Sequence, residues 1–194
     1  LHYYTRLRGL SPNHSATYFG ETEWFYMLSE SLKIDDVISQ TSALMDKYDP
    51  EKRIGLIVDE WGNWHDVEPG TNPGFLFQQN TLRDALVAAA TLDIFNKHAD
   101  RVKMTNIAQM VNVLQTMILT KDEQMVLTPS YYVYQMYKVH HDATLLPLYL
   151  QTEDYTMNER SIPAISSSAS KDDTGRIHIS LSNLNPNKEL EIAC

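Results

Sequence analysis

The sequence predicts an α/β fold in which parallel strands alternate with helices, followed by a segment of antiparallel β-structure. Three observations carry this expectation. Short β-branched runs alternate with helical periodicities through the first 140 residues. The run Ile54 to Val58, behind Arg53, is apolar or small without alternation, as in a parallel strand covered on both faces. Beyond Leu148, Ser, Asn and Asp dominate, and Ile177, Ile179 and Leu181 alternate with polar residues. Three successive strand–helix units imply a parallel sheet with right-handed crossovers.

Taken in order, Leu1 to Thr5 reads as a short strand carrying His2 and Tyr4, and Arg6 to Phe19 as a loop punctuated by Gly9, Pro12 and Asn13. Val37, Ile38, Thr41, Leu44, Met45 and Tyr48 recur at helical spacing behind Asp35 and Asp36, with Asp49-Pro50 as the stop, and Glu23 to Leu32 adds a helical stretch before them. The second strand ends on Asp59, Glu60, Trp61 and Trp64, and Asp66 to Gly74, with two Pro-Gly pairs, is a loop. Thr81 to Asp84 has the form of a capping box, and Leu82, Ala85, Leu86, Ala89, Leu92 and Phe95 make one apolar face of a helix running to His98. Arg101 to Gln109 is expected to be the third strand, although Ile107, Val111, Leu114 and Ile118 also satisfy a helical spacing. Thr128-Pro129 opens a helix to His140. After the turn Lys171 to Gly175 comes the Ile177 strand, and Leu190 and Ile192 continue the β pattern.

Composition narrows the classes of partner. With 194 residues and 43% hydrophobic content the chain can bury a substantial core. A net charge of −9, from 16 basic and 25 acidic residues without a basic cluster, argues against nucleic acid and for a neutral substrate. No apolar run approaches the roughly 18 residues that a membrane helix needs. The single cysteine, Cys194, allows neither an internal disulfide nor a cysteine metal site. The opening Leu1-His2-Tyr3-Tyr4 looks like the inside of a strand, so further sequence is expected upstream.

Glu60 is the first candidate for a catalytic group. Carboxylates at the C-terminal end of a parallel strand stand where barrel enzymes carry their chemistry, and aromatic rings beside them suit the apolar faces and hydroxyls of a sugar. The plainer reading is an acidic pair that caps a loop or meets a surface cation, with Trp61 and Trp64 in the core. His140-His141-Asp142 invites a metal, but adjacent histidines at a helix end do not share a face and more often meet solvent; no metal and no cofactor are assigned.

The run Asp59-Glu60-Trp61-Gly62-Asn63-Trp64-His65-Asp66 through Pro73-Gly74, then Gln78-Gln79-Asn80-Thr81-Leu82-Arg83-Asp84-Ala85, closely resembles the α-L-arabinofuranosidases of glycoside hydrolase family 51. The likeness continues through His98 to Val102, Asn106 to Val113 and Thr128 to His140. It implies the last three βα units of a (β/α)₈ TIM barrel over residues 1–145, followed by the start of an antiparallel β-sandwich over 146–194. It implies a retaining glycoside hydrolase that releases terminal arabinofuranosyl groups from arabinoxylan, arabinan and their oligosaccharides. By the match, Glu60 takes the nucleophile's position and Tyr4 that of a tyrosine orienting it. Trp64 and Gln109 resemble substrate-binding residues, His2 supports the same strand end, and Asp59 sits behind the site. The family's acid/base, a Glu after an Asn, falls upstream of residue 1. The resemblance further suggests a homo-oligomer, a hexamer, in the cytoplasm. Two alternatives stand beside it: a non-catalytic carbohydrate-binding or assembly element, and a related barrel endo-glycanase on β-1,4-glucan or xylan. Three units leave sheet edges and apolar faces uncovered, so the isolated chain is expected to aggregate.

Overall fold

A computed structural model describes residues 1–193; Cys194, and with it the reading of its thiol, lies outside the described residues. The chain runs β1 (His2–Thr5), α1 (Glu21–Leu32), α2 (Ile34–Asp46), β2 (Leu56–Asn63), α3 (Leu82–Lys97), β3 (Val102–Ile107), β4 (Ile118–Lys121), β5 (Gln124–Leu127) and α4 (Pro129–Tyr137). It continues with β6 (Thr144–Leu145), β7 (Asp154–Met157), β8 (Arg160–Pro163), β9 (Ile165–Lys171) and β10 (Ile177–Asn183). The first three strands form one parallel sheet in the order β1-β2-β3. The later strands pair antiparallel, β10-β9-β6 in one sheet and β7-β8 as a hairpin. Both the alternation and the change of character after the last helix thus follow the sequence reading.

Two cores meet on α3. One joins Ile34 and Ile38 of α2, Leu56, Val58 and Trp61 of β2, and Ala85, Ala88, Ala89 and Phe95 of α3. The other sets Val87 and Ala90 of the same helix against Phe25 and Leu28 of α1 and Tyr155 and Ile162 of the β7–β8 hairpin. The alanines let helices and sheet approach closely on both sides, so α3 is buried nearly all round rather than along one stripe. This corrects the expected single face: Leu82 at its start is 63% exposed, while the polar Arg83 and Asp84 beside it are fully buried.

Other expectations also needed correction. β2 is not covered on both faces: Leu56 and Val58 are buried against the helices, whereas Ile57 faces the open side of the sheet at 45% exposure. α2 buries Ile34 and Ile38 and packs Met45 against the same core, while Leu44, and Tyr48 beyond its end, point away. The spacing Ile107 to Ile118 is not a helix; an irregular segment leads into the β4–β5 hairpin. Leu190 and Ile192 lie in no strand. His140 is not turned to solvent: its ring bridges Ser170 Oγ and Ser180 Oγ, each at 2.7 Å, on the antiparallel sheet.

Candidate active site

Parallel pairing aligns the exits of β1, β2 and β3. His2 stands opposite Glu60 and Tyr4 opposite Gly62. On the other side of β2, Val58 pairs with Thr105 and Trp61 with Ile107, so Asp59 and Glu60 together face the single residue Asn106. This is a β-bulge, and it decides the site. Strict alternation from the buried Leu56 and Val58 would send Glu60 into the core and Trp61 outward. With the extra residue, Asp59 and Glu60 both emerge on the open face, and Trp61 turns inward, 1% exposed and edge-on to Phe95 at 5.2 Å.

On that open face Tyr4 donates its hydroxyl proton to Glu60 Oε2 at 2.8 Å. Desolvation, helped by this hydrogen bond and by the Glu60 charge, pushes the Tyr4 phenol up to about 12, so it remains a donor at any ordinary pH. The His2 ring lies between the two carboxylates, with Nε2 3.2 Å from Asp59 Oδ1 and Nδ1 3.5 Å from Glu60 Oε2. Trp64 packs edge-on against Tyr4 with ring centres 5.1 Å apart, and the Arg6 guanidinium stacks over the indole at 4.2 Å. The result is a carboxylate steadied by a phenol beside an aromatic wall. Of the predicted residues, His2, Tyr4, Glu60 and Trp64 are brought together. Gln109 lies at the exit of β3, next to Ala108, whose N–H donates to Trp61 O at 2.9 Å.

A buried layer holds this strand end from behind. Asp84 Oδ1 accepts from Asn63 Nδ2 at 2.7 Å and meets His65 Nε2 at 2.7 Å, so the two residues flanking Trp64 are tied to one oxygen. Its Oδ2 closes the capping box, accepting from Thr81 N at 2.8 Å and Thr81 Oγ1 at 3.0 Å. Burial acts to raise the Asp84 carboxyl; His65, Arg83 and Asn63 outweigh it and hold it below the usual carboxylate range. The His65 N–H donates to Gln78 Oε1 at 2.8 Å, and the Trp64 N–H to Thr5 O at 2.9 Å. Gly62 has φ +137°, and a Cβ there would fall 2.3 Å from Gln115 Nε2, which itself donates to Ala108 O at 2.9 Å. Only glycine admits that approach.

Sequence reasoning missed Arg6, Asn63, His65 and Gln115. Arg6 was assigned to a loop, and Asp84 was legible only as a helix cap. The polar residues on either side of Trp64 in an Asn-Trp-His order were the available signal that this turn is anchored. Among the described residues, no group of three or more His, Cys, Asp or Glu is placed to hold a metal, and no helix is long and apolar enough to cross a membrane.

Comparison with known proteins extends the picture. The α-L-arabinofuranosidase C-terminal domain family matches residues 59–193. A curated relative from Bacteroides ovatus, an intracellular exo-α-L-arabinofuranosidase, is 52% identical over 193 residues, covering 99% of this chain and 38% of that protein. The crystal structure of the GH51 arabinofuranosidase from Xanthomonas axonopodis pv. citri superposes with a TM-score of 0.91 at 55% identity, over 95% of this chain and 37% of that one. The α-L-arabinofuranosidase of Thermotoga maritima, solved as an arabinose complex, shares the fold at 21% identity and a TM-score of 0.73, over 94% of this chain and 37% of that one. The chain therefore spans less than two fifths of the length of these relatives.

Proposed function

Since this chain belongs to the α-L-arabinofuranosidases of glycoside hydrolase family 51, we propose that it carries the nucleophile half of the active site of a retaining, exo-acting α-L-arabinofuranosidase. The observation that carries this reading is the Tyr4–Glu60 hydrogen bond of 2.8 Å at the C-terminal ends of parallel strands, with Trp64 beside it. On this reading residues 1–145 are the last three βα units of a (β/α)₈ barrel, and 146–194 open an antiparallel β-sandwich. The substrate is a terminal arabinofuranosyl group on arabinoxylan, arabinan or their oligosaccharides. The name of the Bacteroides relative supports an intracellular site of action, and the family likeness a homo-oligomer.

Chemically, Glu60 attacks the anomeric carbon and forms a glycosyl ester as the bond to the leaving oxygen breaks. A second carboxyl group gives its proton to that oxygen, then takes one from the water that cleaves the ester, restoring Glu60. That partner is expected within the length of the relatives that this chain does not span. Tyr4 O–H holds the attacking carboxylate in orientation, and the His2 ring stands 3.5 Å from the same oxygen. Trp64, fixed by Tyr4 and Arg6, presents a wall for the sugar ring.

The test is hydrolysis of an aryl α-L-arabinofuranoside by the full-length protein. Glu60→Ala should remove at least about 10³ of kcat, in keeping with loss of a covalent nucleophile. Wild-type-like turnover by that variant would sink the assignment.

A further inference from the structure

Arg6 leaves the parallel sheet beside the site, and the strand register puts it there. Thr5 of β1 lies opposite Asn63 of β2, and the Trp64 N–H donates to Thr5 O at 2.9 Å, so Arg6 and Trp64 emerge side by side. The guanidinium carbon then sits 4.2 Å over the indole. We propose that Arg6 is a further substrate-binding residue, which holds Trp64 with the face of its guanidinium and donates from the rim to a hydroxyl of the bound arabinofuranosyl group; the proposal rests on the function given above.

The chemistry of the group supports this. A guanidinium stacks through its flat face, while its five N–H donors lie in the plane around it, so the contact with Trp64 leaves them available. Among the described residues Arg6 makes no side-chain hydrogen bond and no ion pair. Other arginines differ: Arg101 and Arg160 meet carboxylates, and Arg83 donates to the carbonyls of Ser15 and Ala16. Arg8 and Arg176 are exposed to water, whereas Arg6 is half-buried against an aromatic ring. A guanidinium drawn partly out of water and given no acceptor by the fold gains by taking one from a ligand.

Its surroundings fix the place and the kind of acceptor. Burial, the hydrogen bond to Glu60 and the Glu60 charge push the Tyr4 phenol up, and the Arg6 charge opposes them, so Arg6 acts on the side of the site where Tyr4 meets Glu60 Oε2. A sugar whose anomeric carbon faces that carboxylate lies in front of the same group of side chains. Asp59 and Glu60 both emerge on this open face, so an anionic ligand is repelled there. The acceptor that fits is a neutral hydroxyl.

The experiment measures kcat/KM of the full-length protein, wild type and Arg6→Met, on 4-nitrophenyl α-L-arabinofuranoside and on the three analogues that each lack one sugar hydroxyl. Met keeps an unbranched stem against the indole and removes the donors. The expected result is a loss of about tenfold on the parent substrate, the size of one hydrogen bond from a charged donor. On one analogue the loss should shrink to less than about twofold, because the hydroxyl that Arg6 contacts is already gone. Equal losses on the parent and all three analogues would mean that Arg6 only shapes the site, and would overturn the proposal, as would no loss on the parent. Arg6→Lys keeps the charge without the planar fork and should also lose at least about fivefold; full activity in that variant overturns the proposal too. An inert wild type would refute the proposed activity alone. Binding of the aryl arabinofuranoside to Glu60→Ala and to Glu60→Ala/Arg6→Met, by calorimetry, then decides the role of Arg6: about tenfold weaker binding by the double variant supports it, and equal or absent binding overturns it.

Discussion

Removing the Tyr4 hydroxyl gives the sharpest test of the site geometry. Tyr4→Phe keeps the ring, and with it the edge contact to Trp64 at 5.1 Å, and deletes one O–H donor 2.8 Å from Glu60 Oε2. A hydrogen bond to a charged group contributes about 1.5–3 kcal/mol, and the half-exposed setting argues for the lower part, about 1–2 kcal/mol. If that is realised in the transition state, kcat/KM falls about 5- to 30-fold, at one decade per 1.36 kcal/mol. Steady-state hydrolysis of an aryl α-L-arabinofuranoside by the full-length protein measures it. The sign of the pH dependence follows from the raised phenol pKa: the hydroxyl stays protonated below its ordinary value near 10, and its contribution is lost only as pH rises through about 12. The deficit of Tyr4→Phe should therefore be constant between about pH 5 and 9. A loss below twofold, or one that appears only in acid, would show that Tyr4 is merely packed beside Glu60.

Two further outcomes follow from the supporting layer and a third from the open sheet face. Asp84→Asn sets an amide N–H₂ against Asn63 and His65 or against Thr81, and should cost about 3–5 kcal/mol, read as a lowered denaturation midpoint. Because the Asp84 carboxyl is held below its ordinary range, its stabilisation is full above about pH 4 and lost as pH falls through the lower folded value. The gap between wild type and variant should close in acid, and a gap that widens there would contradict the network. Gly62→Ala drives a methyl toward the buried Gln115 amide in a left-handed conformation, and should lower stability by about 1–3 kcal/mol in thermal unfolding; no change would mean that the strand end relaxes freely. The 194-residue chain alone, with Ile57 and Met104 exposed on the open sheet face, should associate at micromolar concentration; a monomeric light-scattering mass would count against that.

Much of the architecture was legible in the chain. The Thr81–Asp84 capping box and the Pro129 start of α4 each express a local rule and stand where they were read; the Ile177 strand does too, although Ile177, Ile179 and Leu181 form its more exposed face and His178, Ser180 and Ser182 its inner one. The candidates Glu60, Tyr4, Trp64 and His2 were named from strand-end position and likeness, and the fold gathers them within contact of one another. The β4–β5 hairpin was not read, because its two short strands sit among residues that also satisfy a helical spacing.

What the sequence determined by itself is the order and type of the main elements and the residues with chemistry to offer, because propensity, capping and period act over a few neighbours. What only the tertiary structure decided is direction. Leu56 to Trp61 carries no local mark of the extra residue opposite Asn106; that bulge exists only in the pairing of β2 with β3, and it alone turns Glu60 out to Tyr4 and Trp61 into the core. Likewise the second job of Asp84 required His65 and Asn63, 19 and 21 positions away, to be brought to one oxygen, and distance along a chain says nothing about which buried polar groups will meet.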